Sequence, residues 1–231
     1  MSKISTSTNI DWIQVQEQGA APETPDAGYG RVYAKSDGLY FVGDNGTEIG
    51  PLASASGAGA MTLITDTVLG SPAASITFSS ISGSYKHLLI LGNIRTDRTG
   101  AYADGLVIQF NSDTGANYVQ LRAQHNVNTT AYSENLGTAT PQLSFILPSA
   151  DSPANSFGPV KITIPSYAVT NMHKSALAES WGYQKAGTGS LFVSQGGIMW
   201  LNTAAITDIV FKPNTGTNFV AGSRLTLYGI N

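Results

Sequence analysis

Apolar and polar positions alternate with a period of two along much of this chain. Leu225 and Leu227 fall on one side of such a register and Arg224, Thr226 and Tyr228 on the other, the spacing of a strand with one buried and one wet face. Ile108 and Phe110 stand against Val107, Gln109 and Asn111 in the same way. Leu88–Leu91 is instead apolar without a break, which suits a central strand covered on both sides. Helical spacing is nearly absent, and short β-branched and aromatic runs end at Gly, Pro, Asn or Asp. These runs predict strands at 63–69, 75–78, 87–95, 106–110, 118–123, 143–147, 160–164, 176–183, 191–193, 199–201, 206–211 and 224–229, of which roughly eight to ten are expected to stand. Two stacked sheets accommodate both the half-wet and the fully apolar runs. The chain is therefore expected to be all-β, with a jelly-roll-like β-sandwich over residues 61–231 and an up-and-down barrel as the alternative.

The pattern changes over the first sixty residues. Met1–Glu23 is a polar arm, in which Ile10, Trp12, Ile13 and Val15 fit neither period and receive no secondary structure. Residues 24–52 read as a compact β-hairpin module, with strands at 31–34 and 39–42 joined through Lys35–Gly38 and followed by the Asp44–Gly46 turn. Residues 53–60 contain only Ala, Ser and Gly, the composition of a flexible joint. Arm, hairpin, hinge and sandwich in that order suggest an attachment device carrying a displayed domain.

Composition narrows the function classes. Charged residues make up 12% of the 231, against about 25% in an average soluble domain, so solubility rests on hydroxyls and amides. The net charge is −3, and the 12 Lys and Arg are scattered singly, which leaves no basic stripe for nucleic acid. No cysteine is present, which removes thiolate chemistry and disulfides together. No apolar run approaches the length of a membrane span, and Met1–Thr8 lacks the apolar core of a secretory signal. Neither membrane insertion nor general export is expected.

Catalytic and metal motifs are sparse. No Gly-x-Ser-x-Gly occurs, and His87, His125 and His173 are too far apart in sequence for a paired-histidine ligand motif. Asn111–Gly115 begins like a calcium loop, but Arg122 stands at the twelfth position where a bidentate Glu is needed. The residues read better as a turn, with Asp113 and Gly115 supplying its chemistry. Carboxylate pairs for glycoside hydrolysis could be drawn from Asp97, Asp104, Asp113, Glu134, Asp151 and Glu179, but sequence spacing does not measure their separation. Trp200, in an apolar run, is expected in the core. Trp181, with Tyr183 two residues on, is the aromatic pair that could instead lie on a recognition or subunit surface. No cofactor is implied.

The segment from Thr24 to Glu48 resembles a hairpin found near the N-termini of tailed-bacteriophage virion proteins of the head-fibre, decoration and tail-fibre type. Ile76–Ile81, Tyr85–Leu89, Phe110–Tyr118 and Ser223–Ile230 resemble the same group. The resemblance implies a non-enzymatic homotrimer made in the host cytoplasm and located on the virion. It docks on capsid or tail proteins through its N-terminal part and projects its β domain, with a host surface glycan as a possible ligand. Candidate docking residues are then Ile10, Trp12, Ile13 and Val15 of the arm and Tyr29, Arg31, Tyr33 and Tyr40 of the hairpin. Trp181 and Tyr183 are the candidates for surface recognition.

Overall fold

The computed structural model describes residue 18 and residues 21–51, 61–126, 129–139, 143–185 and 190–231. The chain divides into two compact units, Met1–Ala58 and Gly59–Asn231. Both are built from antiparallel strands, as the alternating pattern requires, and no helix occurs among the described residues.

In the first unit, β1 (Gly30–Lys35) and β2 (Gly38–Gly43) form a hairpin in which Tyr33 lies opposite Tyr40. A short β3 (Glu48–Ile49) pairs with the far side of β2. The return from β2 to β3 passes through Gly46, whose φ of +75° suits a residue without Cβ, and the Asn45 side chain accepts the Thr47 N–H at 2.9 Å. Among the described residues Tyr33, Tyr40 and Val42 form the unit's core, with the two rings 5.7 Å apart.

Among the described residues the second unit holds twelve strands in two sheets: β4 (Met61–Val68), β5 (Ile76–Phe78), β6 (His87–Ile94), β7 (Ala103–Phe110), β8 (Tyr118–Asn126), β9 (Thr129–Ala139), β10 (Leu143–Pro148), β11 (Gly158–Pro165), β12 (Lys174–Lys185), β13 (Ser190–Trp200), β14 (Ile209–Pro213) and β15 (Arg224–Ile230). The smaller sheet runs β10-β7-β14-β5 and the larger runs β4-β15-β6-β11-β12-β13-β8-β9. If β5 to β11 and β14 are counted as eight strands in chain order, the first, eighth, third and sixth make the smaller sheet. The second, seventh, fourth and fifth lie in the larger. This is jelly-roll wiring. The β12–β13 hairpin is inserted between the seventh and fourth strands, and β15 and β4 extend the sheet beyond the second. The main core forms where the sheets face each other, with Phe78, Phe110 and Phe211 of one meeting Ile90, Ile162 and Trp200 of the other.

Several expectations are corrected by this topology. The runs 191–193 and 199–201 are two parts of one strand, β13. Gly196 and Gly197 do not break it, because Gly196 lies so close to β8 that a Cβ there would sit 2.2 Å from the Leu121 carbonyl oxygen. The strands β3 and β9 were not anticipated. β9 is rich in Thr, Ser, Asn and Gly and owes its place to pairing with β8. Leu88–Leu91 is interior to its sheet, between β15 and β11, but is covered on one side only: Leu88 and Ile90 are fully buried while Leu91 is exposed. The supposed wet sides of β7 and β15 are also drier than alternation implies. Gln109 and Thr226 are both buried, and the Thr226 hydroxyl donates to Asp66 Oδ1 at 2.7 Å.

Candidate interaction surfaces

The side of the larger sheet turned away from the core carries an apolar expanse. Along β12 the outward positions are Leu177, Glu179, Trp181 and Tyr183; along β13 they are Leu191, Val193, Gln195, Gly197 and Met199. In register, Leu177 faces Gly197, Glu179 faces Gln195 and Trp181 faces Val193. β8 continues the face with Leu121 beside Gly197 and Ala123 beside Gln195, and β6 and β11 close it with Leu91 opposite Lys161. Leu121, Leu177, Trp181, Val193 and Met199 are between 43% and 67% exposed, an unusual density of large apolar side chains for one open sheet face. Near its centre Lys161 Nζ lies 3.5 Å from Glu179 Oε2.

Two adjoining hollows indent this face. One, of about 540 Å³, lies where Gly196, Gly197, Ala123 and Thr163 leave room between Leu121 and Leu177. The other, of about 440 Å³, runs between Trp181, Val193, Pro159 and Leu91. Lys161, Glu179 and Gln195 border both. The sequence singled out Trp181 and Tyr183 here. It missed the aliphatics around them, because a Leu or Val in a strand reads as core until the opposing sheet is known.

In the N-terminal unit the candidate residues divide. Tyr29 is largely exposed, Arg31 is partly buried and donates to the Glu23 carbonyl at 2.9 Å, and Tyr33 and Tyr40 are buried. The two buried rings support an electrostatic cluster. Lys35 Nζ lies 2.7 Å from Glu48 Oε1 and 4.2 Å above the Tyr40 ring, while the Tyr33 hydroxyl donates to Glu48 and the Tyr40 hydroxyl donates to Asp37 at 2.7 Å. The hydrogen bond from Lys35, with that from Tyr33, holds the Glu48 carboxyl below its ordinary range. Lys35 is in turn raised, chiefly by its bond to Glu48. Burial, then the hydrogen bond to Glu48, raises the Tyr33 phenol. On the other side of this sheet Val32, Leu39 and Ile49 are exposed. Any contact made by Tyr33 or Tyr40 runs through the sheet they hold together. Ile10, Trp12, Ile13 and Val15 lie outside the described residues.

The polar residues inside the sandwich act as fasteners. Asp113 forms the turn read from the sequence, accepting the Gly115 N–H at 2.8 Å, and it also accepts the Trp200 indole N–H at 2.7 Å. That indole bond, with those from Asn117 and Gly115, keeps its carboxyl low. Tyr118 stacks on Trp200 at 6.5 Å, and burial pushes its phenol up to about 12. Asp104 accepts the N–H groups of Thr215 and Gly216, and Asp97 those of Thr217 and Asn218, so the two carboxylates tie the 215–218 loop. Arg95 binds the carbonyls of Ala150, Ser152 and Pro153. Buried Lys174 donates to the carbonyls of Met172 and Thr203, and burial lowers its pKa. His87, at the start of β6, accepts the Ser166 N–H on Nδ1 at 3.2 Å, as expected of a hydrogen-bonded imidazole at a strand end.

Among the described residues no cluster of three or more His, Cys, Asp or Glu side chains is arranged to hold a metal ion, and no helix is long and apolar enough to cross a membrane. In comparisons with protein-family models, curated proteins and solved structures, the chain matches none.

Proposed function

We propose that this chain is a non-enzymatic structural protein of a bacteriophage virion, a homotrimeric capsid decoration or head-fibre protein. Its N-terminal region, through residue 52, docks on capsid or tail proteins, and its jelly-roll sandwich is displayed outward. The observation that carries this reading is the division into two units of unequal self-sufficiency. The sandwich has a core drawn from both sheets, whereas among the described residues the three-stranded N-terminal sheet has a core of Tyr33, Tyr40 and Val42. A sheet of that size is marginal alone and gains from a partner surface. Its exposed Tyr29, Val32 and Ile49 provide apolar contact area for one. Residues 53–60 supply a small-residue connection.

A second reading, a tail-fibre adhesin for host surface glycans, draws on Trp181, whose indole is half exposed beside the hollow bordered by Glu179, Lys161 and Gln195. The deciding experiment compares the full chain with residues 61–231 for solution mass and for binding to virions that lack this protein. The decoration reading expects trimeric full chain that docks and a truncated chain that does not. A full chain that is monomeric and never docks removes it.

A further inference from the structure

The outward face of the larger sheet combines three properties that point to one occupant. Its exposed apolar side chains are spread over β6, β12, β13 and β8, on either side of a polar row of Lys161, Glu179 and Gln195, within five strands that are adjacent in the sheet. Five strands at about 4.8 Å spacing and about 3.3 Å per residue over a seven-residue stretch give a patch of roughly 20 by 23 Å. That is roughly 460 Å² in projection, over half of the ~800 Å² that each partner contributes to a standard protein interface, before side-chain relief is counted.

Its charge is self-cancelling. Lys161 and Glu179 are cross-strand partners on β11 and β12, and their side chains meet at 3.5 Å. The two charges at the centre of the face thus answer each other, with Arg122 lining the hollow beside them. A neutral pair with mostly aliphatic surroundings is the charge pattern that a second neutral, aliphatic face matches.

Its relief supplies both halves of a fit. Leu177 and Trp181 project, at 67% and 53% exposure, while Gly197 and Ala123 leave the adjacent hollow. Gly197 is not required by the backbone: a Cβ there would meet nothing closer than the Ala176 oxygen at 3.5 Å and Leu177 Cδ2 at 3.7 Å. The space above it is free to receive a side chain from outside. The same face thus carries knobs and a receptive hollow, so the knobs of one copy can enter the hollow of the next, the head-to-tail contact that closes a three-subunit ring. A glycan would engage Trp181 and the polar groups beside it but not the rest of the face, since Leu121, Leu177, Val193 and Met199 offer neither a flat ring nor a hydrogen bond to a sugar.

We infer that this face, centred on Leu177, Trp181, Val193 and Gly197, is where one copy of the chain associates with another. The inference rests on the oligomeric reading above and assigns its contact surface. Two variants of the full chain test it. Leu177→Glu places a charge on a projecting side chain, and Gly197→Val fills the hollow with a strand-favouring residue. Both positions face outward, so circular dichroism and the urea midpoint at high dilution should match the parent. Sedimentation across a roughly hundredfold range of concentration reads the result. The expected outcome is self-association of the parent, weakened at least tenfold (about 1.4 kcal/mol) in each variant. A parent that stays monomeric throughout, or variants that associate like the parent, overturns the assignment. So does binding of host glycans by a monomeric parent that is abolished by Trp181→Ala. If association survives both variants while the chain still docks on virions, this surface is wrong and the virion reading stands. If association is lost as expected but no copy ever docks, the virion reading fails and the surface stands.

Discussion

The two faces of the larger sheet have similar residues and opposite fates. On β11 and β12, Ile162, Ala178 and Ser180 look inward and are buried, while one residue away Lys161, Leu177 and Trp181 look outward and are exposed. β6 makes the contrast within four residues of one chemical type, Leu88 and Ile90 against Leu89 and Leu91. Composition does not decide which leucine is core. The decision is made by the smaller sheet, which covers one side with Phe78, Phe110 and Phe211, and a residue buys stability only on that side.

The largest effect should come from truncating equivalent aliphatics on the two faces. Ile162→Ala is expected to lower unfolding free energy by about 2–5 kcal/mol through the lost contacts and the cavity. Leu177→Ala at high dilution should stay within about 0.5 kcal/mol of the parent. Urea titration measures both, and equal costs would erase the distinction between the faces. If the outer face is an interface, the Leu177→Ala cost should grow as protein concentration rises.

Tyr118 sharpens the contrast from the inner side. Its folded pKa is raised to about 12 by burial, so the neutral phenol favours the fold below the unfolded value of about 10, and that contribution is lost as pH rises through about 12. Tyr118→Phe removes bonds with Phe110 N–H and the Asp113 carbonyl, each at 3.1 Å, and should cost about 1 kcal/mol at neutral pH. The deficit should shrink and then reverse by pH 12, where the parent has given up about 2–3 kcal/mol. Parallel pH profiles for the two proteins would show that the hydroxyl is solvated instead.

A smaller effect is expected at Asp113, where the Trp200 indole and two other donors hold the carboxyl low. Asp113→Asn should cost about 1–2 kcal/mol at neutral pH. With the folded pKa depressed, the parent's advantage is present above the unfolded carboxylate value and disappears as pH falls through the folded one, so the two midpoints should converge in acid. The smallest change belongs to the outer ion pair: Glu179→Gln should alter dilute-chain stability by no more than about 0.5 kcal/mol, and thermal melts in low and high salt would reveal a larger one.

Period-two alternation and turn residues located most strands of the sandwich, and the Asp113–Gly115 turn was legible because its side chain bonds lie within a few residues. Two classes of information were not local. β9 has few large apolar residues in its sequence and is a strand because β8 offers it a ladder. The outer apolar face is invisible in sequence, since Leu91, Leu177 and Val193 have the same pattern as core leucines and valines. Trp181 was recognisable as ambiguous because its neighbours Glu179 and Gly182 break the apolar run, whereas Trp200 sits beside Ile198 and Met199. In the N-terminal unit, the Lys35, Glu48 and Tyr33 cluster joins residues up to 15 apart, a separation that hairpin spacing alone does not bring together.

The placement of β15 bears on how the molecule is made. It is the last strand of the sandwich in chain order, yet it pairs on one side with β4 and on the other with β6. During synthesis β4 and β6 emerge early and wait for the same missing neighbour, with open ladder edges throughout. The ribosome must deliver the chain through Ile230 before the larger sheet can close, so the nascent sandwich depends on whatever shields those two edges in the meantime.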